Sequence, residues 1–176
     1  MKKIIILIFI TCSVSVFAQN RSLQLGLGAS FLGTGDFYTG LFEAEVGYKL
    51  NPYISSAFGL NSALGYRGNE IKERVTYQQG NANVFISPFR NDKRVDFKLG
   101  SGVSVNFVQE KRINWLSSNT NNMFYYESRI AVGLNMIVES SIAINENMFI
   151  GLKGFIQPYI NGDINSGILV KIGTTI

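Results

Sequence analysis

Glu43 and Glu45 stand two residues apart in a segment of alternating polarity, so in an extended chain both carboxylates project from one face. A carboxylate pair is the equipment of a glycosidase, with one group as general acid and the other as nucleophile or base. The rest of the chain argues against catalysis. It has no histidine, the usual general base near neutral pH and a common metal ligand. Its single cysteine, Cys12, lies in the apolar N-terminal stretch. Gly26-Leu27-Gly28 is a pair of small residues on one strand face, not a phosphate loop or a dinucleotide fingerprint. The polar faces of other segments carry Asp96, Lys98, Arg129, Glu139, Lys153 and Lys171. These eight charges read as a structural network inside a lumen. No enzymatic activity, cofactor or metal is implied.

The elements that would position these residues follow an N-terminal leader. Lys2 and Lys3 precede an unbroken apolar run, Ile4 to Ile10, and Val16-Phe17-Ala18 offers a cleavage site. That is the order of a secretory signal peptide, and the run is shorter than the roughly 20 residues of a membrane-spanning helix. Cleavage after Ala18 would leave Gln19 first and a single domain over 19–176. It would remove Cys12, leaving no thiol in an oxidising compartment. Losing Lys2 and Lys3 lowers the formal net charge from +4 to +2, which removes most support for a nucleic-acid partner.

The mature chain has no apolar stretch long enough for a transmembrane helix. It has 18 Gly, 13 Phe and 8 Tyr but only 3 Pro, a composition that favours strands. Alternation with a period of two is the dominant signal. Val95, Phe97, Leu99, Val103, Val105 and Phe107 oppose Asp96, Lys98, Gly100, Gly102, Ser104 and Asn106. Ile130, Val132, Leu134, Met136 and Val138 oppose Arg129, Ala131, Gly133, Asn135 and Glu139, with Ile137 on the polar face as an exception. The same split predicts eight strands, near 21–33, 37–50, 53–67, 75–89, 94–109, 126–145, 148–160 and 165–176.

A soluble barrel hides its apolar face inside, whereas a membrane barrel turns it to lipid. Here the polar face is rich in Gly and Ala, which suits a crowded lumen. The apolar faces are long enough for the tilted crossing of about 9–11 residues that a bilayer demands. The connections at 50–53, 90–93 and 145–147 are short, and those at 68–74 and 110–125 are longer. Short periplasmic turns and longer outer loops are the usual asymmetry. Aromatic residues near strand ends read as two interfacial girdles, Tyr48, Tyr53 and Phe89 on one side, and Phe31, Tyr66, Tyr77, Phe107, Trp115, Phe124, Tyr125 and Tyr126 on the other.

The segments Ala131–Ile144, Met148–Ile160 and Gly167–Ile176, with the turns Asn145-Glu146-Asn147 and Asn161-Gly162-Asp163, resemble the small single-domain outer-membrane barrels of OmpA/OmpX type. The resemblance implies an all-β fold: an eight-stranded antiparallel up-and-down transmembrane β-barrel in the outer membrane of a Gram-negative bacterium. It also implies insertion by the barrel-assembly machinery, which reads a C-terminal alternation ending on an aromatic. Ile168, Val170 and Ile172 keep that alternation, while Thr174 and Ile176 depart from it. The expected role is structural or surface-interacting, as a monomer with a filled lumen. In the outer loops, Lys72, Arg74, Lys111, Arg112 and Trp115 are candidates for contacts to lipopolysaccharide phosphates or a surface ligand. Two alternatives remain: a soluble lipocalin-like carrier with an apolar lumen, and a narrow porin-like channel. For the lumen face, the pattern predicts that Gly133→Ser costs much less than Val132→Arg or Leu134→Arg on the lipid face.

Overall fold

The computed structural model describes residues 21–33, 37–67, 73–89, 94–113 and 124–176. The proposed leader and cleavage site, Lys72 and Trp115 lie outside them. The strands are β1 (Arg21–Leu32), β2 (Phe37–Lys49), β3 (Ile54–Arg67), β4 (Glu73–Ile86), β5 (Val95–Ile113), β6 (Phe124–Ala143), β7 (Met148–Pro158) and β8 (Ile164–Thr175). Each pairs antiparallel with the next, and β1 pairs with β8 to close the barrel. The all-β, eight-stranded up-and-down barrel is therefore the fold of this chain.

The two faces are sorted opposite to those of a soluble barrel. Leu27, Leu60 and Ile130 point outward and are 68%, 70% and 70% exposed, whereas Glu43 and Lys171 are 1% exposed in the interior. A lipocalin-like carrier requires the reverse, an apolar lumen within a polar wall. Closure satisfies the backbone ladder all round, which a strand protein needs in a solvent without hydrogen-bonding partners.

The start of β1, the end of β8 and the strand ends joined after β2, β4 and β6 share one end of the barrel. Two of these turns use the same device. The Asn51 side-chain oxygen accepts from the N–H groups of Tyr53 and Ile54, both at 2.8 Å. Asn145 does the same for Asn147 and Met148, at 3.0 and 2.7 Å. These local bonds let the chain reverse without a long loop. At the opposite end, the β7–β8 turn places Gly162 at φ 86°, a left-handed conformation that favours glycine.

Three expectations need correcting. The segment 110–125 is strand at both ends: β5 runs to Ile113 and β6 starts at Phe124, and these two residues are paired. Polarity hid this extension. Its outward side chains, among them Gln109, Lys111 and Ser128, are polar, so the alternation that marks the lower strand fades. β6 pairs with β7 from Met136 to Ala143, with one further bridge from Gly133 to Tyr159 just past β7, so the β5–β6 hairpin rises beyond the β7–β8 turn. Tyr77 belongs to no girdle, because it points into the lumen and is 1% exposed. Gly133 is not free to take a side chain: a Cβ there would lie 2.7 Å from the Tyr159 ring and 2.8 Å from the Pro158 carbonyl oxygen.

Candidate functional site

The interior is a stack of polar layers. Near mid-height, Lys153 on β7 donates to both Glu43 oxygens, at 2.9 and 2.8 Å, and to Glu45 Oε2 at 2.8 Å. Lys171 on β8 donates to Glu45 Oε1 at 2.7 Å and to Glu139 Oε2 at 2.9 Å. Lys98 on β5 continues the chain, 3.5 Å from Glu139 and 3.2 Å from Asp96. Seven of the eight charges singled out in the sequence thus form one continuous line of alternating sign across the lumen.

Register explains how distant strands meet here. Gly26 on β1 pairs with Glu43 on one side and with Lys171 on the other. A Cβ at Gly26 would touch both of them, at 3.4 and 3.3 Å. Glycine therefore opens the space in which the acid and the lysine approach. Removing such ions from water costs several kcal/mol each, and only close pairing with further hydrogen bonds offsets it. Glu43 and Glu45 share the Lys153 ammonium, and Glu45 also holds Lys171, so both carboxylates are engaged in buried ion pairs.

Arg129 departs from the expected network. It sits ten residues before Glu139 on β6 and forms an ion pair with Glu110, a residue the sequence placed in a loop, and another with Asp163 at 3.2 Å. Between this outer pair and the ionic layer lies a layer of amides and hydroxyls. Gln79 Nε2 donates to Asn81 Oδ1 at 2.6 Å and to Gln157 Oε1 at 2.8 Å. Asn165 Nδ2 donates to Gln157 Oε1 at 3.1 Å and to the Tyr77 hydroxyl at 3.2 Å. Ser30 Oγ lies 2.6 Å from Thr39 Oγ1 and 2.8 Å from the Tyr77 hydroxyl. The sequence reading did not single out this layer. Its only signal was polar residues at inward positions, such as Asn81, Asn83 and Gln157.

At the outer rim, Arg74 and Lys111 are strand residues, not loop residues. Register places Tyr66, Arg74, Lys111 and Tyr126 in one row across β3, β4, β5 and β6. Tyr66 is 50% and Tyr126 78% exposed. These four residues, with Thr76, Gln109 and Glu110, line an open cleft of about 430 Å³. Arg112 lies in β5, but its side chain is outside the description.

Solved structures share this geometry. Neisserial surface protein A superposes with a TM-score of 0.65 at 13% identity, covering 89% of this chain and 97% of that one. This is the fold of the small outer-membrane barrels. The attachment invasion locus protein Ail of Yersinia pestis, solved in complex with the heparin analogue sucrose octasulfate, gives 0.63 at 13% identity over 90% and 99%. The N-terminal β-barrel domain of Pseudomonas aeruginosa OprF gives 0.50 at 15% identity over 88% and 98%. No family model matches the chain, and no curated protein matches its sequence.

Proposed function

We propose that this protein is a monomeric outer-membrane barrel whose lumen is sealed and whose work is done at its outer rim, as a surface-interaction protein. The observation that carries this reading is the pairing of an exposed apolar exterior with a continuous buried ion chain across the interior. The exterior suits lipid. An eight-stranded interior is just wide enough for side chains to fill, and this one is filled by groups that are costly to separate.

The outer row supplies the contact surface. Arg74 and Lys111 between Tyr66 and Tyr126 combine cations for phosphate or sulfate with rings for sugar faces. Ail, of the same fold, has been solved with a sulfated saccharide analogue. We assign lipopolysaccharide head groups and comparable anionic saccharides as the ligand class, with Lys72, Arg112 and Trp115 as further candidates. Residues 1–18 act as a cleaved leader in this reading, and the assembly machinery inserts the barrel.

Planar-bilayer recording of the purified protein tests the sealed lumen. Near-silent bilayers are expected, and large steady conductance would overturn the reading in favour of a channel. Topology is tested on intact cells: a tag at Ser118 should be accessible and one at Asp92 should not.

A further inference from the structure

Most strands meet the lipid with large apolar side chains. On β6, Ile130, Val132, Leu134, Met136 and Val138 are all exposed. β4 differs. Its buried residues alternate with the outward Arg74, Thr76, Gln78, Gly80 and Ala82, so a large apolar side chain first appears at Val84. Read downward from the rim, this wall offers a cation, a hydroxyl, an amide and then bare backbone. Hydrocarbon alone gives no reason for that order, because each polar group on such a wall loses water without gaining a partner.

Each step has a defined setting. Arg74 is exposed, makes no ion pair among the described residues, and shares the rim cleft with its ladder partner Tyr66. Below it, Gln78 Nε2 donates to Ser62 Oγ on β3 at 2.8 Å, a polar pair on the outward wall. The amide keeps a second N–H and a carbonyl to offer. Lower still, Gly80 stands between Leu60 of β3 and Val105 of β5, and Ala82 between Phe58 and Val103. These four flanking side chains are exposed and form two ridges. A Cβ at Gly80 would meet nothing within 4 Å. The flanking strands lie two strand spacings apart, about 10 Å, so the missing side chain leaves a channel for one hydrocarbon chain. From Arg74 to Gly80 the strand rises about 20 Å, enough for a phosphorylated sugar and the start of an acyl chain.

We propose that the outward face of β4 holds a lipopolysaccharide molecule by its lipid A, with one acyl chain in the channel over Gly80 and Ala82. A phosphate meets Arg74, a glucosamine ring lies against Tyr66, and the ester and amide groups at the head of the chain meet Thr76 and Gln78. The proposal deepens the reading of the rim as a lipopolysaccharide contact and rests on it, including its placement of this end outside the cell. What it adds is a grip on the lipid itself. A contact to the saccharide alone needs nothing of the wall below Thr76.

The test is native mass spectrometry of the full folded protein in detergent micelles, with bisphosphorylated lipid A as the probe. Phosphatidylglycerol and the deacylated glucosamine disaccharide bisphosphate are the comparisons. A single retained lipid A per barrel is expected, with phosphatidylglycerol held about tenfold more weakly because it brings no sugar ring to Tyr66. Gly80→Leu fills the channel and should weaken lipid A about tenfold, the loss of roughly two buried methylenes, while leaving the disaccharide unchanged. Gly154→Leu is the same change at an outward glycine of β7 with equally open space, and it should alter neither. Arg74→Gln should weaken both. Retention of lipid A indifferent to Gly80→Leu would overturn the proposal. So would an equal loss in Gly154→Leu, phosphatidylglycerol held as tightly as lipid A, or a second copy of the chain in place of the lipid. Damage from Gly80→Leu with Arg74→Gln silent would overturn the rim as the head-group contact and leave the channel standing.

Discussion

The ionic and amide layers fill the same lumen a few residues apart, yet they meet the demands of burial differently. In the ionic layer each lysine is claimed by at least two carboxylates: Lys153 by Glu43 and Glu45, Lys171 by Glu45 and Glu139, Lys98 by Glu139 and Asp96. In and beside the amide layer, bonds run to Gln157 and Tyr77, but Asn83 Nδ2, Ser104 Oγ, Asn106 Oδ1, Asn135 Oδ1 and Asn165 Oδ1 are buried without a hydrogen-bond partner among the described residues. An unpaired buried charge is far more expensive than an unpaired amide. Charges therefore enforce complete pairing, whereas dipoles tolerate partial pairing.

The sharpest way to break this comparison is Lys153→Met. It leaves Glu43 without its main cation and Glu45 with half its pairing, and should destabilise by about 3–5 kcal/mol. Adding Glu43→Gln and Glu45→Gln should recover part of that loss. Urea unfolding followed by circular dichroism in liposomes measures both, and a loss below about 1 kcal/mol would mean that water reaches the layer freely.

Next in size is a change on the other side of the wall. Leu134→Arg, or Val132→Arg, should cost about 2–4 kcal/mol near the bilayer midplane in the same assay. A neutral outcome would mean that these side chains face water, and neither layer would then be the interior of a membrane protein. Gly133→Ser should cost about 1–3 kcal/mol, because the new Cβ drives into the Tyr159 ring and the Pro158 carbonyl. Gly80→Ser, where a Cβ meets nothing within 4 Å, is the matched control and should be near neutral. Apart from that control, the smallest effect belongs to Ser30→Ala in the amide layer, about 1 kcal/mol. A loss as large as that of Lys153→Met would erase the distinction between the layers.

The strands were legible because lipid and lumen impose opposite polarity on successive residues, and the expected boundaries of β1, β2, β3, β6, β7 and β8 fall within two residues of the structure. Legibility stops where the outward medium stops being apolar. Above Phe107 the outward residues Gln109 and Lys111 are as polar as the inward Glu110, so the top of β5 resembled a loop. Inwardness was legible for Glu43, Glu45, Glu139, Lys153 and Lys171. Partnership was not: Lys153 reaches Glu43 across 110 positions of sequence, and strand tilt, which no local pattern records, decides which rows share a height. Arg129 had the right face and the wrong height. Gly133 had the right face too, but the ring that covers it, Tyr159, arrives from just past the end of β7.

The pairing of β1 with β8 has a consequence in time. Ser22 takes Thr175 as its ladder partner, so the first strand waits for the last before either edge is covered. Contacts so far apart in sequence close slowly, because the loop must be ordered before they reward it. Until then the chain carries two bare strand edges, each a template for a foreign strand. Synthesis alone cannot finish this molecule piece by piece. Its eight strands reach their solvent as one event, and losing β8 would remove not an eighth of the wall but the act of closure.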